Sequence, residues 1–458
     1  MTRARVRWIA AAAVLTLGVA GCNGPSIGSR EPTGSAPANP FSTEVSGALR
    51  TSGFNPADEV GQSRADYAAA QLSGVTVTMD KTNFDAQKFA AQAASGQTPD
   101  LIQTDRAIVA TLASKDLIIP LDQCYEAFGV KPREQYYPSV VDDVSYDGKI
   151  FGIPQFFQAN ALLANKRVLG QAGVTAADLD TSKPDAIVAT AKKLYQEKGG
   201  KPTVIGFDAD LPGSSAMWFT VFGGAAYDEQ GKPTLDRPEN VAALTWMKQL
   251  MDAQGGYPKV KSFKDSMDVF GAGNQYVKDQ VAVQTWAQWY PNVLADTKDK
   301  VSLEAVPIKN SAGEPIAMAG GTSFAIPKSG KNPSAACAWA IKATSSEAWM
   351  AAADARIETV EKNKKLFTGL MTGSPVADQQ IKDKYVKPTG NAEFDQVIET
   401  YYSVLAKPVT SGSSPVGQTV QQDLTNAVTV ALTGEKTPEQ ALADAQESSL
   451  RAWEQATK

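Results

Sequence analysis

The chain has 458 residues, 43% hydrophobic and 20% charged, with 44 Lys plus Arg against 49 Asp plus Glu. That length exceeds one ordinary core and predicts two domains or lobes, and a mildly acidic chain with no basic run gives no electrostatic footprint for nucleic acid. Histidine is absent, which excludes Ser-His-Asp and Cys-His catalysis and imidazole-ligated zinc; no metal or cofactor is expected, and carboxylate-pair chemistry stays open.

The first residues read as an export signal. Arg3, Arg5 and Arg7 precede the apolar stretch IAAAAVLTLGVA (9–20), too short to span a bilayer and suited to a signal peptide over 1–21. The stretch ends in VAGC, which resembles the bacterial lipoprotein box, with Ala20 and Gly21 before Cys22. The resemblance implies cleavage before Cys22, its acylation, and an extracytoplasmic protein anchored to the cell membrane through its N-terminal lipid. Residues 22–43, rich in Gly, Ser, Pro and Ala, then read as a lipid-anchored flexible tether reaching roughly 25 Å. Cys124 and Cys337 remain; in an oxidising compartment they could pair, and the apolar surroundings of Cys337 suit a buried free thiol equally well.

Strand and helix patterns alternate along the body. VSGALRTSG (45–53) reads as a strand entering a glycine-bearing loop, DEVGQSRADYAAAQL (58–72) as a helix, and VTVTMD (75–80) as a strand by its alternation. FDAQKFAAQAAS (84–95) is helical, GQTPDLIQTD (96–105) turns at Gly96 and Pro99 into a short strand, and AIVATLASKDL is helical again. This order predicts an α/β fold with parallel, doubly wound sheets, whose ligands meet the loops at the carboxyl ends of strands. Here those loops hold Thr51–Phe54 and Gln103–Arg106. Residues 146–174 predict two short strands and a helix from about Lys166; 186–199 predict a helix, 202–210 a strand and loop, and 216–236 a helix ending at Gly223-Gly224. Residues 237–256 predict a helix with Pro238 at its start. QTWAQWYPN (284–292) spaces Trp286, Trp289 and Tyr290 so that a helix would stack three rings on one face. The last helix, 437–455, has Thr437 as N-cap and Gln440 in a capping-box position.

Six segments in order resemble the extracellular solute-binding proteins of bacterial ABC importers, in particular the sugar-binding group that includes maltose-binding protein. They are AAQAASGQTPDLIQTD, LASKDLIIPLD, YDGKIFGIPQFFQANALLANKRVLGQAGV, VKDQVAVQTWAQWYPN, GGTSFAIPKSGKNPSAACAWAIKATSSEAW and TGEKTPEQALADAQ. Ala164 departs from the family's tyrosine before Asn-Lys, and Ala282-Val283 from its Ala-Met. The resemblance implies a two-lobed periplasmic-binding-protein fold of type II, with discontinuous lobes and a ligand cleft. Lobe 1 would take 44–154 and 317–366, and lobe 2 155–316 and 367–458, with crossings near 153–157, 317–321 and 366–372. It also implies a monomer that performs no chemistry, captures a sugar of two or more rings, and delivers it to the transmembrane subunits of an ABC permease. The alternatives are the same fold holding a sugar phosphate, amino-sugar, polyamine or peptide, or a secreted carboxylate-pair enzyme acting on glycosides.

The resemblance marks the candidate ligand residues. Trp289 matches the family tryptophan that stacks on a sugar ring, whose apolar face lies on an indole while its hydroxyls meet polar groups. Trp286 falls at a looser position, and Tyr290 is expected in the core. Asp105 and Arg106 follow a strand end, where a carboxylate can accept hydroxyl protons and a guanidinium can donate; Asp105 could instead cap the next helix. Phe54 could wall the cleft from the other side or pack beneath it, and Gln155, Phe156 and Phe157 could face it from the first crossing. Trp218 lies on an apolar helix near a family ligand region, with the core as its alternative. Gly320 and Gly321 mark the return crossing, where bare backbone N–H groups could approach a ligand. The adjacent Asp142 and Asp143 are expected in a solvated loop, and GGKPT (199–203) lacks phosphate-loop spacing.

Overall fold

The computed structural model describes residues 39–458 apart from 364 and 406; the signal segment and Cys22 lie outside the described residues. A five-stranded sheet has the order Val75–Asp80, Gly47–Ser52, Leu101–Asp105, Thr322–Ala325, Ile153–Pro154. A seven-stranded sheet runs Pro408–Val409, Ala317–Gly320, Gln158–Asn165, Val281–Ala287, Lys201–Asp208, Gln196–Lys198, and Leu303–Val306 also pairs with Gln158–Asn165. The sheets are mixed rather than parallel throughout. The first three strands of the chain, joined by helices, pair parallel as strand–helix–strand units do. Thr322–Ala325 arrives directly from the other sheet and runs antiparallel to both neighbours.

Local sequence explains most elements. Asp58 and Asp85 cap the helices Glu59–Gln71 and Ala86–Ala94 by accepting from Gly61 and Lys88 backbone N–H groups. Thr437 and Gln440 form the expected capping box ahead of Pro438–Ala456. Three expectations differ. The helix predicted over 186–199 ends at Leu194, and Gln196–Lys198 forms a hairpin with Lys201–Asp208. Gly199 and Gly200, with φ of 58° and 75°, close that hairpin, because two successive positive-φ residues match the twist of paired strands. Residues 39–43, assigned by composition to the tether, lie against the body: Phe41 is buried and Asn39 donates to the Gln123 carbonyl. Asp142 and Asp143 end the helix Pro138–Asp143; Asp142 is exposed and paired with Arg133, whereas Asp143 is buried.

Cys124 and Cys337 are joined in a disulfide, both fully buried, tying the helix Asp122–Ala127 to the helix Pro333–Ala343. Among the described residues no helix is long and apolar enough to cross a membrane.

The chain passes between the sheets where strands change partner. It leaves the five-stranded sheet at Pro154 and joins the seven-stranded one at Gln158. It returns between Gly320 and Thr322, and Thr372 bridges to Phe156 beside the first crossing. Gly321 has φ of 153°, and a Cβ there would lie 2.2 Å from both the Arg106 guanidinium and the Phe156 carbonyl oxygen. Only glycine leaves room for the clamp formed at this point.

Candidate functional site

Two adjoining cavities lie between residues of the two sheets and share Trp289. The first, about 240 Å³, takes Phe54, Asn55, Asp58, Arg64 and Gln103 from around the five-stranded sheet. Opposite them stand Gln288, Trp289 and Asn292, with Phe156 and Gly369–Met371 supplied by crossing segments. The second, about 190 Å³, is lined by Asn160, Asp210, Ser214, Lys264, Gln284 to Ala287, and Trp289. Together they reach the lower part of the roughly 300–1,000 Å³ range of small-molecule sites.

The aromatic cluster is built differently from the spacing argument. Val281–Ala287 is a strand that carries Trp286, Gln288 and Trp289 form the turn, and Tyr290–Leu294 is a short helix with Pro291 in its first turn. Alternating Val281, Val283 and Thr285 and the stop at Pro291 carry the strand signal that the i, i+3, i+4 spacing hides. Tyr290 is buried, as expected: its hydroxyl donates to the Val269 carbonyl at 2.8 Å and accepts from Gln275 at 2.8 Å. Trp286 stacks on Tyr290 with centroids 3.8 Å apart, and its Nε1 donates to Gln284 Oε1 at 2.6 Å. Gln284 in turn donates to buried Asp208, which Lys264 also contacts. Trp289 meets Trp286 and Tyr290 edge-on, and Phe270, 71% exposed, lies parallel to it. Trp289 is thus half-buried, held from one side and turned to both cavities.

Polar groups without partners flank this ring. Gln288 Oε1 in the first cavity and Thr285 Oγ1 in the second have no hydrogen-bond partner among the described residues. Desolvated acceptors and hydroxyls of this kind are costly unless something bonds to them. Burial would lower the Lys264 pKa, but Asp208 and Asp210 outweigh it and hold it above the usual lysine range.

The other candidates divide. Phe54 lines the first cavity although it is 3% exposed, packed against Phe324 and Trp339. Asp105 is exposed at its strand end and makes no cap hydrogen bond; burial raises its pKa and Arg106 opposes the shift. Arg106 is buried as a structural clamp. Nε donates to Asp143 at 3.2 Å, Nη1 to the Phe156 carbonyl, and Nη2 to the Gly320 carbonyl at 3.0 Å, so one guanidinium holds two crossing strands. Burial lowers the Arg106 pKa, with Asp143 opposing, and burial raises Asp143 to about 6 against the pull of Arg106. Of residues 155–157 the cavity receives Phe156. Phe157 packs on Tyr137, and Gln155 is buried between Arg64, Gln103 and Thr322. In extended chain alternate side chains point opposite ways. Trp218 is core: its ring packs at a tilt against Trp246 and its Nε1 donates to the Ala209 carbonyl. Gly320 is exposed with open space around it, and Gly321 serves the clamp.

Sequence reasoning missed Arg64, Asp58, Arg356, Asp210 and Lys264. Arg64, on an otherwise Ala-rich helix, is 1% exposed, and its guanidinium lies over the Trp349 ring at 4.0 Å. A lone arginine in such a helix carries no local sign of this.

Residues 62–358 match the family described as bacterial extracellular solute-binding protein. An arabinooligosaccharide-binding protein of Halalkalibacterium halodurans is 26% identical over 39% of this chain and 40% of its own length. A maltooligosaccharide ABC transporter solute-binding lipoprotein of Streptococcus pneumoniae is 24% identical over 56% of both chains, so the match spans about half the length of these curated relatives. Among solved structures, a protein with mannotriose bound superposes with a TM-score of 0.69 at 22% identity, over 88% of this chain and 99% of that one. At that identity the likeness is one of fold.

Proposed function

Because the chain belongs to the bacterial extracellular solute-binding proteins, we propose that it captures a sugar of two or more rings for an ABC-type importer. The carrying observation is Trp289, an indole shared by two adjoining cavities and flanked in each by a polar atom without a partner. A sugar needs both: an apolar face for its C–H surface and unsatisfied polar groups for its hydroxyls. One ring in each cavity makes a disaccharide the smallest ligand that fills both. The named relatives bind oligosaccharides, which supports the same class here.

In this reading the lobes are 44–154 with 317–366 and 155–316 with 367–458, and a ligand touching both favours their closure. Cys22 anchors the chain outside the cytoplasm, and the protein acts as a monomer that passes ligand to permease subunits. The carboxylates lining the cavities are already engaged, Asp58 by Arg356 and the Gly61 N–H, Asp210 by Lys264 and Ser214. That favours binding over carboxylate-pair hydrolysis.

The test is thermal denaturation of the full-length protein with mono- and oligosaccharides. A ligand at a hundredfold excess over Kd adds about 2.7 kcal/mol and raises Tm by roughly 3 °C. Trp289→Ala should weaken that ligand at least tenfold while costing on the order of 2 kcal/mol of stability through its lost ring contacts. A shift with a polyamine or peptide and none with any sugar refutes the reading.

A further inference from the structure

One large apolar side chain beside the site is left bare. Phe270 is 71% exposed, and among the described residues the only other exposed large hydrophobic residue is Val376, at 43%. A single apolar side chain on a surface is ordinary; position and support set Phe270 apart. Its ring lies parallel to Trp289 within 13°, with centroids 6.2 Å apart. It lines neither cavity, whereas Met267 and Val269, just before it in the chain, line the second. Phe270 therefore stands at the rim of the second cavity and carries the aromatic surface of Trp289 outward.

The loop holds the ring in that place. Asp268 Oδ1 accepts from the Gly271 N–H at 2.8 Å and closes a turn around Phe270. The Val269 carbonyl accepts from the Tyr290 hydroxyl at 2.8 Å, which ties the loop to the cluster that carries Trp289. Asn274 is fully buried, and its Nδ2 donates to the Gly271 carbonyl at 3.3 Å and to Thr297 Oγ1 at 3.1 Å. A loop fixed on both sides of Phe270 thus keeps an apolar ring in water, and covering that ring with another apolar surface is favourable. Because the ring is already in place, little freedom is lost when it is covered.

Building on the sugar-binding reading, we propose that Phe270 forms a third sugar position outside the two cavities, and that the ligand is an oligosaccharide of three or more rings. The C–H face of a sugar suits a bare aromatic ring. The separation of Phe270 from Trp289 is comparable to the step from one ring of an oligosaccharide to the next. Two rings fill the cavities, and the third leaves the second cavity across Phe270. The exposure of Phe270 leaves solvent beyond it, so later rings meet no wall there and add little.

The experiment is calorimetric titration of the full-length protein with linear oligosaccharides of glucose, mannose, arabinose, xylose and galactose, each of two to five rings. In the series that binds, affinity should rise fivefold or more from two rings to three, and less than twofold with each ring after that. Phe270→Ala should bring the two-to-three step below twofold, and Phe270→Tyr should keep it. A step that survives Phe270→Ala, or equal losses for two and three rings, overturns the third position, because the ring would then only steady Trp289. A wild-type series with no gain at the third ring overturns this inference alone and leaves the sugar-binding reading standing. Absence of binding by every series overturns both. The wild-type series decides the matter even where a Phe270 variant fails to fold.

Discussion

Removing the Cys124–Cys337 disulfide should cost this protein about a third or more of a typical domain's stability. The bond closes a loop of 213 residues between two buried helices. In the chain-entropy account the unfolded state regains 2.1 + 1.5R ln n cal/mol/K, which for this loop is about 5 kcal/mol at 25 °C. Native domains hold only about 5–15 kcal/mol in all. With an unfolding entropy of about 2.1 cal/mol/K per residue over some 420 residues, the same quantity lowers Tm by roughly 6 °C. Two perturbations separate the cross-link from its packing. Cys124→Ala with Cys337→Ala removes the bond and the sulfur volume; refolding the wild type under a phosphine reductant removes the bond alone. Both should show the loss by circular dichroism melts and by urea unfolding. A reduced wild type melting within about 1 °C of the oxidised protein refutes the entropic argument, because the stability would then lie in the packed sulfur atoms.

Stability should also fall as pH rises from about 5 to 8. Burial raises Asp143 to about 6 and Asp378 to about 7, against the Arg106 charge for the first and the Thr372 and Tyr137 hydrogen bonds for the second. A carboxyl that holds its proton more tightly when folded stabilises fully below its unfolded pKa near 4 and loses that contribution as pH climbs through the folded value. With no histidine in the chain, few other groups titrate in that window. Urea midpoints should therefore decline across it, and Asp378→Asn should flatten the upper part; a midpoint that rises instead contradicts the assignment. At the return crossing, Gly321→Ala drives a Cβ against the Phe156 carbonyl and should cost about 2–4 kcal/mol. Gly320→Ala, with nothing within 4 Å, should stay within about 0.5 kcal/mol. Equal melting temperatures for the two variants would show that the crossing relaxes around a side chain.

By itself the sequence determined what short-range patterns can carry. The alternation in VTVTMD, the cap at Thr437, and the strand-helix order of 45–114 depend on neighbours a few residues apart, and they appear in the structure as read. Tyr290 in the core and Trp289 at a cavity were expected from the family resemblance, whereas the ring spacing alone placed both on one helical face. Tertiary structure alone decided which polar groups meet. Arg106 sits at a strand end where a ligand residue is expected, yet strands from positions 156 and 320 arrive there and take its guanidinium. Asp143 lies beside an exposed aspartate but finds a buried partner 37 residues away. Arg64, unmarked on an alanine-rich helix, becomes a cavity cation because Trp349 and Phe156 close around it from distant parts of the chain. The burial of a charge and the partners it finds are set by long-range packing, and a local window of sequence does not contain them.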